Sequence, residues 1–175
     1  MIYSPNYHLV GGQPHICFSV GLPRSGKSTF FKTCTNIDHN GVLKVSINGD
    51  NFRLATYGPE PFNDNGEAAV STAVFTAIKA LLHTGYHVLY DDTNTSLWSL
   101  KKIFSIDKEA RYVLFDTPRE VCIKRCIGNK RESDLIDTIY RTYNNLKGLN
   151  INLACFDKIK GSENIDAIEQ IRKIS

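Results

Sequence analysis

The chain has 175 residues, 42% of them hydrophobic and 22% charged, with a formal net charge of +3; that is enough for one domain with its own core and no disulfide or metal staple. No apolar run approaches the length that spans a bilayer, and the N-terminal MIYSPNYHLVGGQPH has neither the basic start nor the apolar stretch of a secretory signal, so a cytoplasmic protein is expected. A charge of +3 permits an anionic substrate without demanding one.

Repeats, low-complexity tracts and long linkers are absent, so residues 1–14 read as an N-terminal extension and 15–175 as a single domain. HICFSVG, from His15, is a short apolar run ending in glycine and predicts a buried strand. VLKVSING, from Val42, alternates and ends in Asn-Gly, predicting a second. From Glu67 to Leu82 the apolar residues Val70, Val74, Ile78 and Leu81 recur at helical spacing, and Gly85 is placed to close that helix in a left-handed conformation. HVLYDDTN follows as a third strand that stops abruptly in two carboxylates.

LWSLKKIF predicts a helix and RYVLFD, from Arg111, a fourth strand. Its exit, TPREVCIKRC, offers Thr117 as a cap and Pro118 at the first helical position. Ser133 is the expected cap of another helix, with Leu135, Ile139, Tyr143 and Leu146 on one face and Gly148 at its end. NLACFDKIKG reads as a fifth strand, and Ser162 opens a last helix facing Ile165, Ile168, Ile171 and Ile174 inward. Strands alternating with helices predict an α/β fold, a five-stranded parallel sheet with helices on both faces. In such sheets chemistry collects at the carboxyl ends of the strands.

The five cysteines, Cys17, Cys34, Cys122, Cys126 and Cys155, are odd in number and lie in apolar contexts, which argues for reduced, mostly buried thiols. Cys122 and Cys126 sit four apart, but nothing nearby completes a tetrahedral metal set.

Gly21, Leu22, Pro23, Arg24, Ser25, Gly26, Lys27 and Ser28, followed by Thr29, satisfy G-x-x-x-x-G-K-[ST] between a predicted strand and a predicted helix. The glycines let backbone N–H groups turn inward around phosphate oxygens, and the helix N-terminus adds its positive end. Lys27 then reaches the β- and γ-phosphates of ATP while the Ser28 hydroxyl binds Mg²⁺. Arg24 reads as a charge facing solvent or a lid.

A phosphate loop alone does not separate NTPase, GTPase and kinase, so the other strand ends must decide. After the second strand, NGDNFR places Asp50 and Arg53 three apart in the first turn of a helix, pointing into one crevice. A carboxylate there accepts a proton from an attacking hydroxyl, and the arginine clamps an anion or steadies the carboxylate. After the third strand come Asp91 and Asp92; neighbouring strand residues face opposite ways, so one of the two faces the nucleotide and Mg²⁺. The alternative for DDTN is a capped turn. Lys124, Arg125, Lys130 and Arg131, between two predicted helices, stand where a basic helical lid would close over the phosphates, unless they are simply solvated. With no N-K-x-D segment and no room for lever domains, kinase chemistry is the remaining use.

GLPRSGKSTF, INGDNFR, VLYDDTN and the basic stretch after FDTPREVCIKR resemble, in this order and at similar spacing, the kinase domain of phage-type polynucleotide 5′-hydroxyl kinases over roughly His15 to Asn145. The resemblance implies a P-loop kinase core transferring the ATP γ-phosphate, with Mg²⁺, to a 5′-hydroxyl end of DNA or RNA. It implies Asp50 as general base, Arg53 beside it, Asp92 as the essential aspartate of the third strand's end, and Lys27 with Ser28 in the loop. Arg125 fits a lid arginine and Arg131 a second, with Lys130 the alternate. A Val-Pro pair expected after the second is missing, and Gly49 stands where some members carry a basic residue. The 3′-phosphatase domain often fused downstream is absent from the sequence, so end repair by this chain alone is expected to be incomplete. NGDNFR is also similar to a segment of adenylylsulfate kinases, and zeta-type toxins share the Asp-x-x-Arg arrangement. A small-molecule or nucleotide kinase is therefore the alternative, and a non-catalytic ATP-binding protein a further one that the intact Asp50 counts against. The acceptor wall is expected in RLATYGPEPFNDNGE, where Tyr57 and Phe62 either stack on a base or anchor a loop.

Overall fold

The computed structural model describes residues 13–34, 44–58 and 64–151. Four strands, β1 (Ile16–Gly21), β2 (Lys44–Asn48), β3 (His87–Asp91) and β4 (Arg111–Phe115), form one parallel sheet in the order β2-β3-β1-β4. Six helices complete the described chain: α1 (Lys27–Cys34), α2 (Gly49–Tyr57), α3 (Asp64–His83), α4 (Leu97–Ile106), α5 (Arg119–Lys124) and α6 (Glu132–Ile151). The sheet thus has four strands among the described residues where five were expected; the segment read as the fifth strand, and the helix after Ser162, lie outside them. None of the described helices is long and apolar enough to cross a membrane.

Strand alternation sorts the core. Ile16, Phe18 and Val20 of β1 with Val88 and Tyr90 of β3 pack against Val70, Val74, Phe75 and Ile78 of α3 and Leu100 and Ile103 of α4. On the other face Leu89, Val113 and Phe115 meet Phe31 of α1. A third cluster joins Leu22, Cys122, Cys126 and Ile139, seating α5 and α6 beside the loop after β1. Both cysteines are buried there as small apolar groups.

The helix ends show which local signals acted. Gly85, at φ +92°, closes α3: its N–H donates to Leu82 O and that of Tyr86 to Leu81 O, satisfying carbonyls the helix cannot. Asn48 caps α2, its Oδ1 accepting from Asn51 N. Three expectations fail. Pro118 is extended at ψ 139° and occupies the cap position itself, so α5 starts at Arg119 and Thr117 is left free for another partner. Glu132, not Ser133, begins α6; Gly128 N donates to Glu132 Oε2 and fixes the turn ahead of it. The same helix passes on through Gly148, because a glycine costs a helix only about 1 kcal/mol against alanine.

Candidate active site

β1 lies between β3 and β4, so the loop that leaves it emerges in the crevice where connections diverge to either side. Gly21 to Ser28 form that loop. A Cβ on Gly21 would come within 2.9 Å of both Cβ and O of Phe115, so only glycine lets β1 and β4 run this close at their ends. Arg24 at φ +64° and Gly26 at φ +102° supply the left-handed bends that curl the loop. Lys27 is buried and donates to the main-chain oxygens of Gly21 (3.2 Å) and Leu22 (2.6 Å). Burial lowers its pKa, opposed by the charges of Asp91 and Asp92. Ser25 Oγ is buried without a hydrogen-bond partner among the described residues, while Ser28 and Thr29 are exposed on the first turn of α1.

Two contacts from beyond β4 clip the loop's backbone. Thr117 Oγ1 donates to Ser25 O at 2.9 Å, the partner it found in place of a helix cap. Arg125, at the end of α5, donates from Nη1 to Arg24 O at 3.0 Å. Arg125 is therefore brought to the loop. Arg131 is not: it is exposed and pairs with Asp134 at 3.5 Å on α6. The exposed Lys130 precedes it.

The β2–β3 register sets Asn48 opposite Asp91. Asn48 Nδ2 donates to Asp91 Oδ2 at 2.9 Å, and Ser19 Oγ approaches Asp91 Oδ1 at 3.4 Å. Asp91 is thus buried on the face of β1 that carries Ser19. Asp92 turns the other way, with Tyr90: the Tyr90 hydroxyl donates to its Oδ2 at 3.1 Å and Thr93 N to its Oδ1 at 2.7 Å. Burial raises the Asp92 carboxyl above the ordinary carboxylate range, the Thr93 amide opposing and Asp50 adding to the rise. Burial likewise pushes the Tyr90 phenol far up, and the Asp92 charge adds to it.

Asp50 is exposed on the first turn of α2 and pairs with Arg53, as the three-residue spacing requires. Glu67 of α3 grips Arg53 from the other side, both carboxylate oxygens accepting from Nη2 at 3.0 and 3.1 Å. Nothing in the sequence around NGDNFR announces Glu67; helical spacing placed it on α3, and only the packing of α3 on α2 brings it to the arginine.

Asp92 and Arg53 border a cavity of about 280 Å³. Its walls come from α3 (Glu67, Phe75), α4 (Trp98) and α6 (Arg141). Among the described residues the expected acceptor segment therefore supplies Arg53 and Glu67 to it; the turn from Asp92 to Ser96 and residues of α3, α4 and α6 supply most of the rest. Tyr57 is the last residue of α2, and Phe62 lies outside the described residues.

Two more groups escaped sequence reading. Asn48 both caps α2 and holds Asp91, and Asn94, at φ +46°, ties the turn after β3 to β1: its Nδ2 donates to Ser19 O at 2.9 Å, and its Oδ1 accepts from Ser99 Oγ at 2.8 Å. Asn94 does make the turn suggested by DDTN, but its side chain bonds to other elements.

No group of three or more His, Cys, Asp or Glu side chains able to hold a metal occurs among the described residues. A Mg²⁺ ion needs no such group, because it takes most of its ligands from water and substrate phosphates.

Comparison with known structures agrees with this fold. A chain of the Pnkp1/Rnl/Hen1 RNA repair complex matches with 27% identity and a TM-score of 0.59, over 78% of this chain and 47% of that one. A second structure of the Pnkp1/Rnl/Hen1 complex matches with 32% identity and a TM-score of 0.58, over 69% and 41%. This chain thus spans less than half the length of those chains. The APS kinase CysC of Mycobacterium tuberculosis, in complex with AMPPNP and APS, shares the fold at 19% identity and a TM-score of 0.55, over 67% and 71%. No curated protein matches. The likeness to polynucleotide kinases read from the sequence therefore stands as a P-loop kinase-like fold. A family model described as an AAA domain matches residues 16–143, most of the chain, and the protein belongs to that family.

Proposed function

We propose that the protein is an ATP-dependent kinase that transfers the γ-phosphate to the 5′-hydroxyl of a polynucleotide, with Asp50 as the general base. What supports this is the convergence of three strand ends: the phosphate loop after β1, the Asp50–Arg53 pair after β2 and Asp92 after β3. The similarity at 27–32% identity to chains of an RNA repair complex favours a nucleic-acid acceptor over a small molecule.

The residues fit a nucleoside triphosphate with its cation. Lys27 rests on carbonyls of its own loop, ready to exchange them for phosphate oxygens, and the orphaned Ser25 hydroxyl faces a loop shaped to surround an anion. Ser28 with Asp91 would hold Mg²⁺, Asp92 being turned to the acceptor side. When bound, that ion neutralises charge on the β- and γ-phosphates.

The step is an in-line displacement. Asp50 takes the proton of the acceptor hydroxyl as its oxygen bonds to the γ-phosphorus, and the bond to the β-phosphate oxygen breaks, releasing ADP. Arg53, held by Asp50 and Glu67, keeps the acceptor in line. Arg125 follows the loop it already touches, and Arg131 with its neighbour Lys130 closes from the α5–α6 connection as a lid.

The test is incubation with γ-labelled ATP and, in parallel, 5′-hydroxyl DNA and RNA oligonucleotides, nucleosides, nucleotides and adenylylsulfate. Label on the oligonucleotide 5′ end is the expected result. Label on a small acceptor alone would replace this reading with that of a small-molecule kinase, and ATP binding without transfer to anything would remove catalysis from it.

A further inference from the structure

Trp98 is the single tryptophan of the chain, and it is 60% exposed. So exposed an indole offers an apolar face on which a planar group can stack. It stands on the wall of the cavity that Asp92 and Arg53 border. Its ring meets Phe75 edge-on, with centroids 6.3 Å apart, and the Lys102 ammonium lies 4.6 Å from its centroid and 4.4 Å from that of Phe75. The indole is therefore held as a platform rather than left to swing.

Arg141, on α6, also lines this cavity, and it makes no hydrogen bond or ion pair with any described residue. Every other charged group on the cavity wall is occupied: Arg53 by Asp50 and Glu67, Asp92 by Tyr90 and Thr93. The remaining lining is rich in uncharged hydrogen-bonding groups, Thr138 and Asn145 of α6 among them. At about 280 Å³ the space is at the small end of ligand pockets, which run from roughly 300 Å³ upward, and suits one nucleoside rather than a duplex end.

We infer that this cavity is the binding site for the acceptor's terminal nucleoside: the Trp98 ring stacks on its base, and Arg141 takes the phosphate that joins it to the next nucleotide. The inference rests on the kinase reading above for the identity of the acceptor. Stacking on an aromatic face is tolerant of base identity, and a lone guanidinium matches a phosphodiester oxygen.

Because Trp98 is the only tryptophan, its emission reports binding with no catalysis required. Titrating a single-stranded 5′-hydroxyl oligonucleotide without ATP should quench it. Trp98→Ala should raise the acceptor KM roughly 5- to 100-fold with the ATP KM unchanged, and Trp98→Phe should recover most of the loss. Arg141→Ala should raise KM for a dinucleotide but not for a free nucleoside, which lacks the phosphate. Absent quenching with unchanged KM in Trp98→Ala overturns the platform and leaves the kinase reading intact; equal effects of Arg141→Ala on dinucleotide and nucleoside overturn its phosphate role. Quenching without transfer to any acceptor supports the site while removing the kinase.

Discussion

The Asn94 side chain donates to the main-chain oxygen of Ser19, 75 residues away in sequence, at 2.9 Å. It thereby fastens the turn after β3 to the strand that delivers the phosphate loop. Thr93 O accepts from Gly21 N at 3.1 Å beside it, so the first glycine of the loop is held by the same turn. The donor strand and the carboxylates are thus one mechanical unit.

Asn94→Ala should destabilise the protein by about 3–4 kcal/mol. It removes two side-chain hydrogen bonds, about 1 kcal/mol each, and forces a Cβ residue without local polar compensation into φ +46°, a further 1–2 kcal/mol. Asn94→Gly relieves the backbone term only and should cost less. Urea unfolding of the three proteins measures the order, and a glycine variant less stable than the alanine one would contradict it.

Most of this fold is legible in the chain because its signals are local. The loop motif, the period of Val70, Val74 and Ile78, and Gly85 act within a turn or two, and the structure follows them. The site is legible only where one element carries both partners, as Asp50 and Arg53 do. Glu67, Asn48, Asn94 and Arg141 reach the site through packing between elements distant in sequence, and no spacing encodes that. Thr117 shows the opposite error: its cap signal was strong, but the extended Pro118 took the position and the hydroxyl went to Ser25 O.

Asp50→Ala should lower phosphate transfer by about 10²- to 10⁴-fold, the usual weight of a general base, while ATP affinity stays nearly intact. The side chain is exposed and touches Arg53 rather than the phosphate loop, so nothing it does supports nucleotide binding directly. Transfer rates beside an ATP titration separate the two effects, and wild-type transfer in the variant ends the assignment.

Asp92→Asn should stabilise the protein at pH 7 while abolishing transfer. Burial holds the native carboxyl above its ordinary value, so between about pH 4, where an unfolded aspartate titrates, and the raised native value the folded state binds more protons. Stability contributed by this group is therefore highest below that window, falls as pH rises through the native pKa, and stays lower above it. An asparagine has no charge to desolvate and can still accept from Thr93 N, so its advantage should vanish below about pH 4. Unfolding curves at both pH values check the sign; a variant less stable than its parent at pH 7 contradicts it.

Thr117→Val keeps the shape of the side chain and deletes the bond to Ser25 O. The expected cost in stability is about 1 kcal/mol. ATP binding should weaken several-fold because the loop then orders only when nucleotide arrives, and acceptor KM should stay unchanged. Isothermal titration with a nonhydrolysable ATP analogue measures the first effect, and steady-state kinetics the second. Equal loss for ATP and acceptor would place the threonine's role in the fold as a whole.

Glu67→Gln tests whether Arg53 must be gripped from both sides. Glu67 accepts with both carboxylate oxygens, whereas glutamine offers one oxygen and no charge, so the guanidinium loses one of its carboxylate partners and keeps its pairing with Asp50. The pair is partly solvent-exposed, so its loss should change stability by no more than about 1 kcal/mol. Arg53 would then follow the exposed Asp50 rather than a fixed α3, and both would misalign the acceptor. The expected outcome is a fall of roughly 10-fold in kcat with the ATP KM unchanged, since a small misplacement of a reacting group is costly in rate. If kcat is untouched and only the acceptor KM rises, Glu67 shapes the cavity wall instead of the line of attack.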